Sequence, residues 1–262
     1  MTHCILPSVK PLDSTVFAAN RQRVQTLSPL VHCMTNDVVQ EITANVLLSI
    51  GASPAMVVAK EESGTFAAIS AALLINIGTP RSDILEAMHC AGDAANTHNV
   101  PWVLDPVAAG VIAWRDGVIH SFLEKHPACI RGNASEIRAL AGVGSGGKGV
   151  DSLDSSESAL EAAVKLAKDY QTLVCVTGES DFATDAERIV SVKGGTAEAT
   201  LVVGTGCSLS AMVAAYLAKA DDPLLAVASA CAHAKAAQEK ALETSKGPGS
   251  FKVAYIDALH AI

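Results

Sequence analysis

A cysteine directly after a glycine-rich turn is the first candidate for chemistry in this chain. The stretch LVVGTGCSLSAMVAAYLA (201–218) places Gly204-Thr205-Gly206 and then Cys207 at the start of a long uncharged helical pattern. Glycines permit positive φ and let the backbone approach a ligand closely. The first N–H groups of a helix lack intrahelical partners and carry a partial positive charge. We therefore predict an anion hole for a phosphate or a developing negative charge, with a bare tight turn as the alternative.

Cys207 has several roles that its position in the sequence leaves open. At the first turn of a helix, the dipole is expected to lower the pKa of the thiol, which favours a reactive role. A small buried apolar residue is the more common role of a lone cysteine. The chain has no C-x-x-C pair, which argues against zinc, and its seven scattered cysteines are Cys4, Cys33, Cys90, Cys129, Cys175, Cys207 and Cys231. Because no secretory signal is visible at the N-terminus, we expect reduced thiols and a cytoplasmic protein.

Acidic and basic residues follow two other predicted strands. Asp105 ends the run WVLD, and Arg131 directly follows the run ACI. Paired carboxylates without a zinc ligand set indicate magnesium, so Asp105 and Glu136 are candidate metal ligands. Arg131, with Asn133 beside it, offers a cation to a phosphate group. The alternative for either carboxylate is a helix or turn cap.

Short apolar strands that alternate with helices must position these residues. Each strand run is apolar throughout, which is typical of parallel strands covered on both faces. The predicted strands are 29–33, 55–58, 72–77, 102–105, 128–130, 172–177 and 200–203, and the predicted helices are 37–50, 81–98, 134–140, 156–170, 207–218, 223–242 and 251–262. This order predicts an α/β fold with a mostly parallel central sheet and right-handed crossovers. Ligands of such sheets bind beyond the carboxyl ends of the strands, where the candidate residues lie.

One segment departs from the alternation of strands and helices. FATDAERIVSVKGG (182–195) alternates apolar and polar residues, which predicts a small antiparallel hairpin. No proline- or serine-rich linker divides the chain, and no internal repeat is visible. We therefore predict that residues 1–262 form a single domain.

The composition excludes several classes of protein. Half of the residues are hydrophobic, 18% are charged and 4% are aromatic, so a large aliphatic core can form. The net charge of −8, without any run of Lys or Arg, argues against nucleic acid and anionic membranes as partners. The uncharged stretch 199–218 imitates a membrane span, but glycines and serines interrupt its first half. A buried strand, turn and helix is the structure predicted there.

Two glycine-rich stretches resemble nucleotide-binding motifs without matching them. GVGSGGKGV (142–150) has the spacing of a Walker A loop, but Gly149 stands where Ser or Thr should bind magnesium. The stretch also follows a helix instead of a strand, so we predict a loop that closes the helix at 134–140. The turn at 204–207 fails the dinucleotide fingerprint because Leu209 occupies its sixth position.

Several motifs together resemble those of a known family. They are GTGC, IRGNASEI, DPVAAG, VTGE and PLVHCMTNDVVQEITANVLLSIGASPAM, in this chain at 204–207, 130–137, 105–110, 176–179 and 29–56. In this combination the chain is similar to the hydroxyethylthiazole kinases of the ribokinase-like superfamily, from about residue 28 to residue 259. Residues 1–27 match nothing in that family, as expected for a variable terminus. The resemblance implies a three-layer ribokinase-like fold.

The resemblance also implies an activity. Family members phosphorylate the hydroxyl of 4-methyl-5-(2-hydroxyethyl)thiazole with ATP and magnesium in thiamine salvage, as homotrimers with sites between subunits. Gly204, Thr205 and Gly206 would bind the transferring phosphoryl group, with Cys207 where most ribokinase-like enzymes carry an aspartate base. The resemblance further implies that ATP is bound by Arg131, Thr177 and Asn133. Magnesium would be bound, largely through water, by Asp105 and Glu136. The thiazole would be contacted by Met56, Gly204 and Asn36, of which Asn36 would come from a neighbouring subunit.

The resemblance leaves individual roles and rival functions open. Met56 could be a core residue, and Asn36 could simply cap the following helix. We expect Cys207 to be a modest proton acceptor and not a covalent nucleophile. Rival functions are a kinase of another heteroaromatic alcohol, such as a pyrimidine or pyridoxal, a hydro-lyase that repairs hydrated nicotinamide cofactors, and a sensor of a phosphorylated ligand. A cysteine hydrolase is a further alternative, with His233 as the partner of Cys207.

Overall fold

The computed structural model describes residues 6–143 and 156–262, and nine strands of this part of the chain form one sheet. The strands are β1 Val9–Pro11, β2 Leu30–Met34, β3 Ser53–Ala55, β4 Ala72–Asn76, β5 Trp102–Asp105, β6 Cys129–Asn133, β7 Leu173–Thr177, β8 Asp181–Thr184 and β9 Ile189–Val192. Their order across the sheet is β1-β9-β8-β7-β6-β5-β4-β2-β3. Only β8 runs antiparallel to its neighbours β7 and β9, so the predicted hairpin is present.

Helices cover both faces of the sheet. They are α1 Ser14–Leu27, α2 Gln40–Ser49, α3 Lys60–Ile69, α4 Ser82–Thr97, α5 Ala113–Leu123, α6 Ala134–Leu140, α7 Leu160–Tyr170, α8 Thr205–Leu217, α9 Pro223–Thr244 and α10 Pro248–Ala261, with 3₁₀ helices at Ser156–Ala159 and Ala197–Leu201. Two buried apolar clusters lie on opposite faces, because successive side chains of a strand point to opposite sides. In β4, Leu74 packs with α8 and α9, whereas Leu73 and Ile75 pack with α4. The predicted layers of helix, sheet and helix are confirmed.

The uncharged helix α8 is a core helix of this fold. Each of its residues from Ser208 to Leu217 is buried, and the helix packs on β4 and β5 and against α9. In the part of the chain that the structure describes, no helix combines the length and apolarity needed to cross a bilayer. The helical part of the segment predicted as a buried strand, turn and helix is therefore confirmed.

The predicted strand at 200–203 is wrong. Residues 197–201 form a 3₁₀ helix, and only Val202 of the apolar run is buried, whereas Leu201 and Val203 are about two-thirds exposed. The 3₁₀ helix packs against α10, and residues 200–203 do not join the sheet. The glycine turn is consequently a junction between a 3₁₀ helix and an α-helix, and not the end of a strand.

Smaller differences concern element bounds and elements that the pattern did not indicate. The strand predicted at 55–58 ends at Ala55, and the helix predicted from residue 37 begins at Gln40. The elements β1, α1, α3 and α5 were not predicted. A signal for α1 was available, since Asp13 caps that helix by accepting from the Thr15 N–H at 2.7 Å.

The N-terminal segment is an integral part of this fold. β1 pairs with β9 at the edge of the sheet, and α1 packs on α9, where the Asn20 amide donates to the Ser229 hydroxyl at 3.1 Å. The Arg23 guanidinium donates to the carbonyls of Tyr216, at 2.6 Å, and Ala218. A cation thus binds carbonyls at the C-terminal end of α8, the end where it complements the helix dipole.

Helix α6 ends at a glycine, as the sequence predicted. The N–H of Gly142 donates to the carbonyl of Ala139, and the N–H of Val143 donates to that of Arg138 at 3.0 Å. With Gly142 at φ 67°, these two bonds form a Schellman motif. The rest of the predicted glycine-rich loop, residues 144–150, lies outside the described residues.

Candidate functional site

The candidate residues lie at the carboxyl ends of five strands of the sheet. Asn36 and Met56 come shortly after β2 and β3, and Asp105 is the last residue of β5. Arg131 and Asn133 lie within the last three residues of β6, and Thr177 ends β7. Because these strands are parallel, their ends share one edge of the sheet. The start of α8 contacts the same edge through the side chains described below.

The glycine turn leaves the start of α8 open. Gly204 has φ 95°, and a Cβ on it would lie 2.5 Å from the Cγ2 of Ile42, so both conformation and space require glycine there. The helix has no side-chain cap, while the Thr205 hydroxyl donates to the carbonyl of Ala199 at 2.8 Å. The N–H groups of Gly206 and Cys207 belong to the first turn and have no intrahelical acceptor. Two backbone donors at the start of α8 are thus available to a ligand, and the anion hole stays a prediction.

Arg131 joins the end of β7 to this turn. One terminal nitrogen donates to the Gly206 carbonyl at 3.1 Å, and the other donates to the Thr177 hydroxyl at 2.5 Å. The buried Nε of Arg131 has no hydrogen-bond partner, which is unusual for a donor of this kind. Burial lowers the pKa of this guanidinium, but neighbouring charges, chiefly that of Asp105, raise it above its ordinary value. A permanent cation with one unused donor thus lies beside the anion hole.

Asn133 and Glu136 form a capping box at the start of α6. The Glu136 N–H donates to the Asn133 side-chain oxygen at 2.9 Å, and the Asn133 N–H donates to Glu136 Oε2 at 2.9 Å. The other oxygen, Oε1, accepts from the N–H of Ala108 at 2.9 Å, in the loop after β5. The capping role foreseen as the alternative for Glu136 is therefore present, and each oxygen keeps a second lone pair.

Asp105 is a buried carboxylate held by side chains. Its Oδ2 accepts from the Asn76 amide at 2.7 Å and from the Ser210 hydroxyl at 2.8 Å. Burial raises the pKa of Asp105 to about 6; the charge of Arg131 lowers it, and the charge of Glu136 raises it further. A carboxyl group with this environment, at the end of a central strand, is a candidate for function as much as for structure.

Cys207 lies against the amide of Asn36. The Asn36 Nδ2 is 3.5 Å from the Cys207 Sγ and donates to the Asn76 side-chain oxygen at 2.9 Å. Burial raises the pKa of the thiol, as does the charge of Asp105, and this outweighs the lowering by the side chains of Asn76, Arg131 and Asn36. The pKa of this thiol is thus raised and not lowered as predicted from the start of α8, because partial burial and the charge of Asp105 outweigh the lowering influences.

The structure also revises the expectations for Asn36 and Met56. The Asn36 side-chain oxygen accepts from the Val38 N–H at 3.1 Å, whereas the N-cap of α2 is Val39, so Asn36 makes a turn before the helix and does not cap it. Its side chain reaches Cys207 of the same chain, and no neighbouring subunit is needed to bring it there. Met56 is partly buried against the cluster that contains α8, directly after β3.

Four residues that hold the site together were not predicted from the sequence. Asn76 and Ser210 bind Asp105, and Arg115 donates to the carbonyls of Ile77, Gly78 and Val107, with the last two at 3.3 and 3.4 Å. Arg115 thus ties the loops after β4 and β5 together. A signal existed for Ser210, which lies three residues after Cys207 on the same helix face. Nothing in the sequence pattern indicated Asn76 or Arg115.

Lys235 of α9 is the fourth of these residues. Its ammonium donates to the carbonyls of Gly178, Glu179 and Gly194 at 3.0, 3.0 and 2.9 Å. It also lies 3.4 Å from the Asp181 carboxylate, and both side chains are less than a tenth exposed. The Asp181 carboxylate in turn accepts from the Gly178 N–H at 3.0 Å. This ion pair fixes the turn that directly follows Thr177.

The cysteine hydrolase is not supported by these positions. His233 Nδ1 lies 2.7 Å from the Tyr216 hydroxyl and Nε2 lies 3.0 Å from the Leu259 carbonyl, with burial lowering its pKa to about 4. Tyr216 is nine residues beyond Cys207 on α8, about 13 Å along the helix axis. His233 is therefore bound at the far part of the helix. Within the described residues, no group of three or more His, Cys, Asp and Glu could bind a metal ion by itself.

Comparison with known proteins places this chain in one family. The model of the hydroxyethylthiazole kinase family matches residues 21–262. A hydroxyethylthiazole kinase of Tolumonas auensis is 50% identical over 253 residues, 96% of this chain and 95% of that protein. The solved structure of the hydroxyethylthiazole kinase protein from Pyrococcus horikoshii OT3 has a TM-score of 0.87 at 38% identity, covering 95% of this chain and 94% of that one.

A more distant structure shares the fold alone. It is a ribokinase-like superfamily protein of Enterococcus faecalis V583, with a TM-score of 0.68 at 9% identity, covering 100% of this chain and 99% of that one. The predicted ribokinase-like fold, the family resemblance and the expectation of a kinase are thereby confirmed. From the site motifs and from matches that span nearly its whole length, the chain belongs to the hydroxyethylthiazole kinase family.

Proposed function

We propose that this protein transfers the γ-phosphoryl group of ATP to the hydroxyl of 4-methyl-5-(2-hydroxyethyl)thiazole, in thiamine salvage. The hydroxyl oxygen forms a bond to phosphorus, the bond from phosphorus to the bridging oxygen breaks, and ADP leaves. The observation that carries the proposal is the position of Arg131, whose guanidinium contacts both Thr177 and the Gly206 carbonyl at the open start of α8. Phosphoryl transfer depends mainly on such positioning and charge neutralisation.

The ATP phosphates are proposed to lie between Arg131 and the start of α8. The unpaired Nε of Arg131 supplies a donor, and the first-turn N–H groups of Gly206 and Cys207 supply two more. Thr177 lies at the same place, with Asn133 at the neighbouring end of β6. These donors would stabilise the negative charge that the phosphoryl oxygens carry during transfer.

Magnesium is proposed to bind near Asp105 and Glu136, largely through water. The residues fit a hard cation, since both are carboxylates with spare lone pairs and the charge of Glu136 raises the pKa of Asp105. Two carboxylates without further charged ligands suit an ion that keeps several waters and binds substrate phosphates. Bound magnesium would neutralise charge on the phosphates; the protein's own part is to hold the two carboxylates through Asn76, Ser210 and the Ala108 N–H.

Cys207 is proposed to accept the proton of the substrate hydroxyl, and Met56 and Gly204 to contact the thiazole. The sulfur lies at the start of α8, beside the proposed phosphoryl position. Because the pKa of the thiol is raised, only a small fraction is thiolate at neutral pH, which makes it a modest base. Cys207→Asp should preserve or increase kcat, whereas Cys207→Ala should lower it. An inactive but folded Asp variant would contradict this role.

A homotrimer with sites between subunits is also part of the proposal. Val38, Leu201 and Val203 are each about two-thirds exposed, and they flank Asn36 and the glycine turn. Exposed apolar side chains grouped in this way are typical of protein interfaces. Val203→Asp should therefore lower the molar mass measured by light scattering. Ile69→Asp, at an equally exposed position on α3, is the matched control and should leave the mass unchanged.

The test of the activity is ATP consumption by the purified protein with magnesium, with and without the hydroxyethylthiazole, and the mass of the product. Turnover that depends on the thiazole and adds one phosphoryl group is expected. Activity only on a pyrimidine or pyridoxal alcohol would contradict the substrate while retaining the kinase. ATP consumption only with a hydrated nicotinamide dinucleotide would instead indicate the hydro-lyase, and magnesium-independent binding without turnover would indicate a sensor.

A further inference from the structure

We propose that the amide of Asn36, itself oriented by Asn76, is a positioning group, which holds the Cys207 sulfur as a hydrogen-bond acceptor ready to receive the substrate proton. The inference deepens the proposed function and rests on it for the role of Cys207. It replaces the expected contact between Asn36 and the thiazole with an action through the cysteine. The hydrogen-bond partners of the two amides fix how each side chain is oriented.

The orientation of Asn76 follows from two partners whose chemistry is unambiguous. Its side-chain oxygen lies 3.0 Å from the Gly78 N–H, which can only donate. Its Nδ2 lies 2.7 Å from the Asp105 carboxylate, which accepts when ionised. The oxygen and nitrogen of Asn76 therefore cannot be exchanged without losing both bonds.

The orientation of Asn36 follows in turn from that of Asn76. Its Nδ2 donates to the Asn76 side-chain oxygen at 2.9 Å, and its own oxygen accepts from the Val38 N–H at 3.1 Å. The remaining hydrogen of Nδ2 is the one that faces the Cys207 sulfur, at 3.5 Å. Both hydrogens of this amide are thus used within the chain, which leaves no N–H for a substrate.

The sulfur consequently receives an N–H from the Asn36 amide. Such a donor favours the thiolate over the thiol and directs a lone pair of the sulfur, while burial and the charge of Asp105 favour the thiol. The packing preserves this arrangement: a Cβ on Gly78 would lie 2.6 Å from the Asn36 side chain. Asn36 is also more than nine-tenths buried, so its side chain does not exchange freely with water.

The first test measures alkylation of Cys207 by iodoacetamide as a function of pH, without ATP or thiazole. Peptide mass spectrometry follows Cys207, with the partly exposed free thiol Cys90 as the internal reference. Asn36→Leu should slow alkylation of Cys207 at pH 8 about tenfold, because a bond to the charged form is lost, and should leave Cys90 unchanged. Asn45→Leu, which removes an amide that bonds Glu41 on α2, is the matched control. An unchanged Cys207 profile in a folded Asn36 variant would overturn the proposal.

The second test is a double-mutant cycle in turnover. Asn36→Leu should lower kcat about tenfold in the wild-type protein and by less than twofold in a Cys207→Ala background, with little change of the KM for thiazole. An equal loss in both backgrounds, or a raised KM that persists without the cysteine, would overturn the proposal in favour of a substrate contact. If Asn36→Leu does not fold, Asn36→Ala removes the donors without adding a charge, and the same outcomes apply.

The two tests separate this inference from the proposed function. Alkylation needs neither substrate, so a protein that fails to phosphorylate thiazole can still show the dependence of Cys207 on Asn36. That outcome would contradict the function and retain the positioning of the sulfur. Thiazole turnover combined with an alkylation profile of Cys207 that does not change in the Asn36 variant would support the function and contradict the positioning of the sulfur.

Discussion

The two halves of the site are held in place by different kinds of contact. The nucleotide half is the part proposed to bind ATP, at the ends of β6 and β7, where the long cationic side chains of Arg131 and Lys235 bind backbone carbonyls and the Thr177 hydroxyl. The acceptor half is the part proposed to bind the thiazole, at the ends of β2, β4 and β5, where short amide and carboxylate side chains bind one another. A cation that binds carbonyls fixes the path of the backbone, whereas a row of amides fixes the direction of individual protons.

This difference predicts how each half should fail. Removal of a buried cation leaves carboxylates and carbonyls without a partner, which costs stability as well as activity. Removal of the Asn36 amide leaves only the Asn76 oxygen and the Cys207 thiol without a donor, which should cost mainly activity.

Loss of Lys235 should cost the most stability. Lys235→Met leaves the buried Asp181 carboxylate unpaired, so the free energy of unfolding in urea should fall by about 3–5 kcal/mol. Lys240→Met, at an exposed position of the same helix, should change it by less than about 0.5 kcal/mol. Adding Asp181→Asn to the Lys235→Met variant should recover part of the lost free energy of unfolding, because the unpaired charge is then removed. A Lys235 variant as stable as the control would show that the ion pair does not fix the turn.

Loss of Arg131 should cost the most activity. Arg131→Ala removes a charged donor from the proposed phosphoryl position, and kcat/KM for ATP should fall by about 10²–10³. Arg131→Lys should recover only part of this, because an ammonium cannot bind Thr177 and Gly206 with a planar fork. Steady-state kinetics with varied ATP measure both variants. Equal activity of the Ala and Lys variants would contradict an electrostatic role.

The glycine turn should respond differently at its two glycines. Gly204→Ala combines φ 95° with a contact of 2.5 Å to Ile42, so we expect a loss of about 2 kcal/mol in unfolding free energy and a raised KM for thiazole. Gly206→Ala meets only the end of Arg131, at 3.3 Å, and should cost less than about 1 kcal/mol. Similar losses for the two variants would show that the conformation of Gly204 does not matter.

Asp105 should give stability a distinctive dependence on pH. Its folded pKa of about 6 lies above the ordinary 3.8, so between these values the folded chain holds a proton that the unfolded chain has lost. The stabilising contribution of this proton is complete below pH 3.8 and is lost as pH rises through about 6. Without magnesium, Asp105→Asn should therefore gain about 2 kcal/mol relative to the wild type between pH 4 and pH 7. A constant difference across this range would contradict a raised pKa.

Local patterns in the sequence were sufficient for much of the fold. Apolar runs such as WVLD and TLVCVT are strands because a parallel sheet covered on both faces buries every side chain. The polar residues that follow them mark the edge where ligands of such sheets bind, so Asp105 and Arg131 could be selected as candidates from their positions, whereas the role of Thr177 was implied by the family resemblance. Alternation in 182–195 was sufficient for the antiparallel hairpin.

Tertiary structure decided the rest, because burial and distant contacts have no local signal. The run LVV before Gly204 has the apolar pattern of a strand. In the structure, however, a 3₁₀ helix ends at Leu201 and the run does not join the sheet. Cys207 lies in the first turn of α8, yet burial and the charge of Asp105, far away in the sequence, raise the pKa of its thiol. Asn36, Asn76 and Ser210 are ordinary polar residues in the sequence. They form one site because parallel strands bring residues 36, 76 and 105 to the same edge, beneath the first turn of α8.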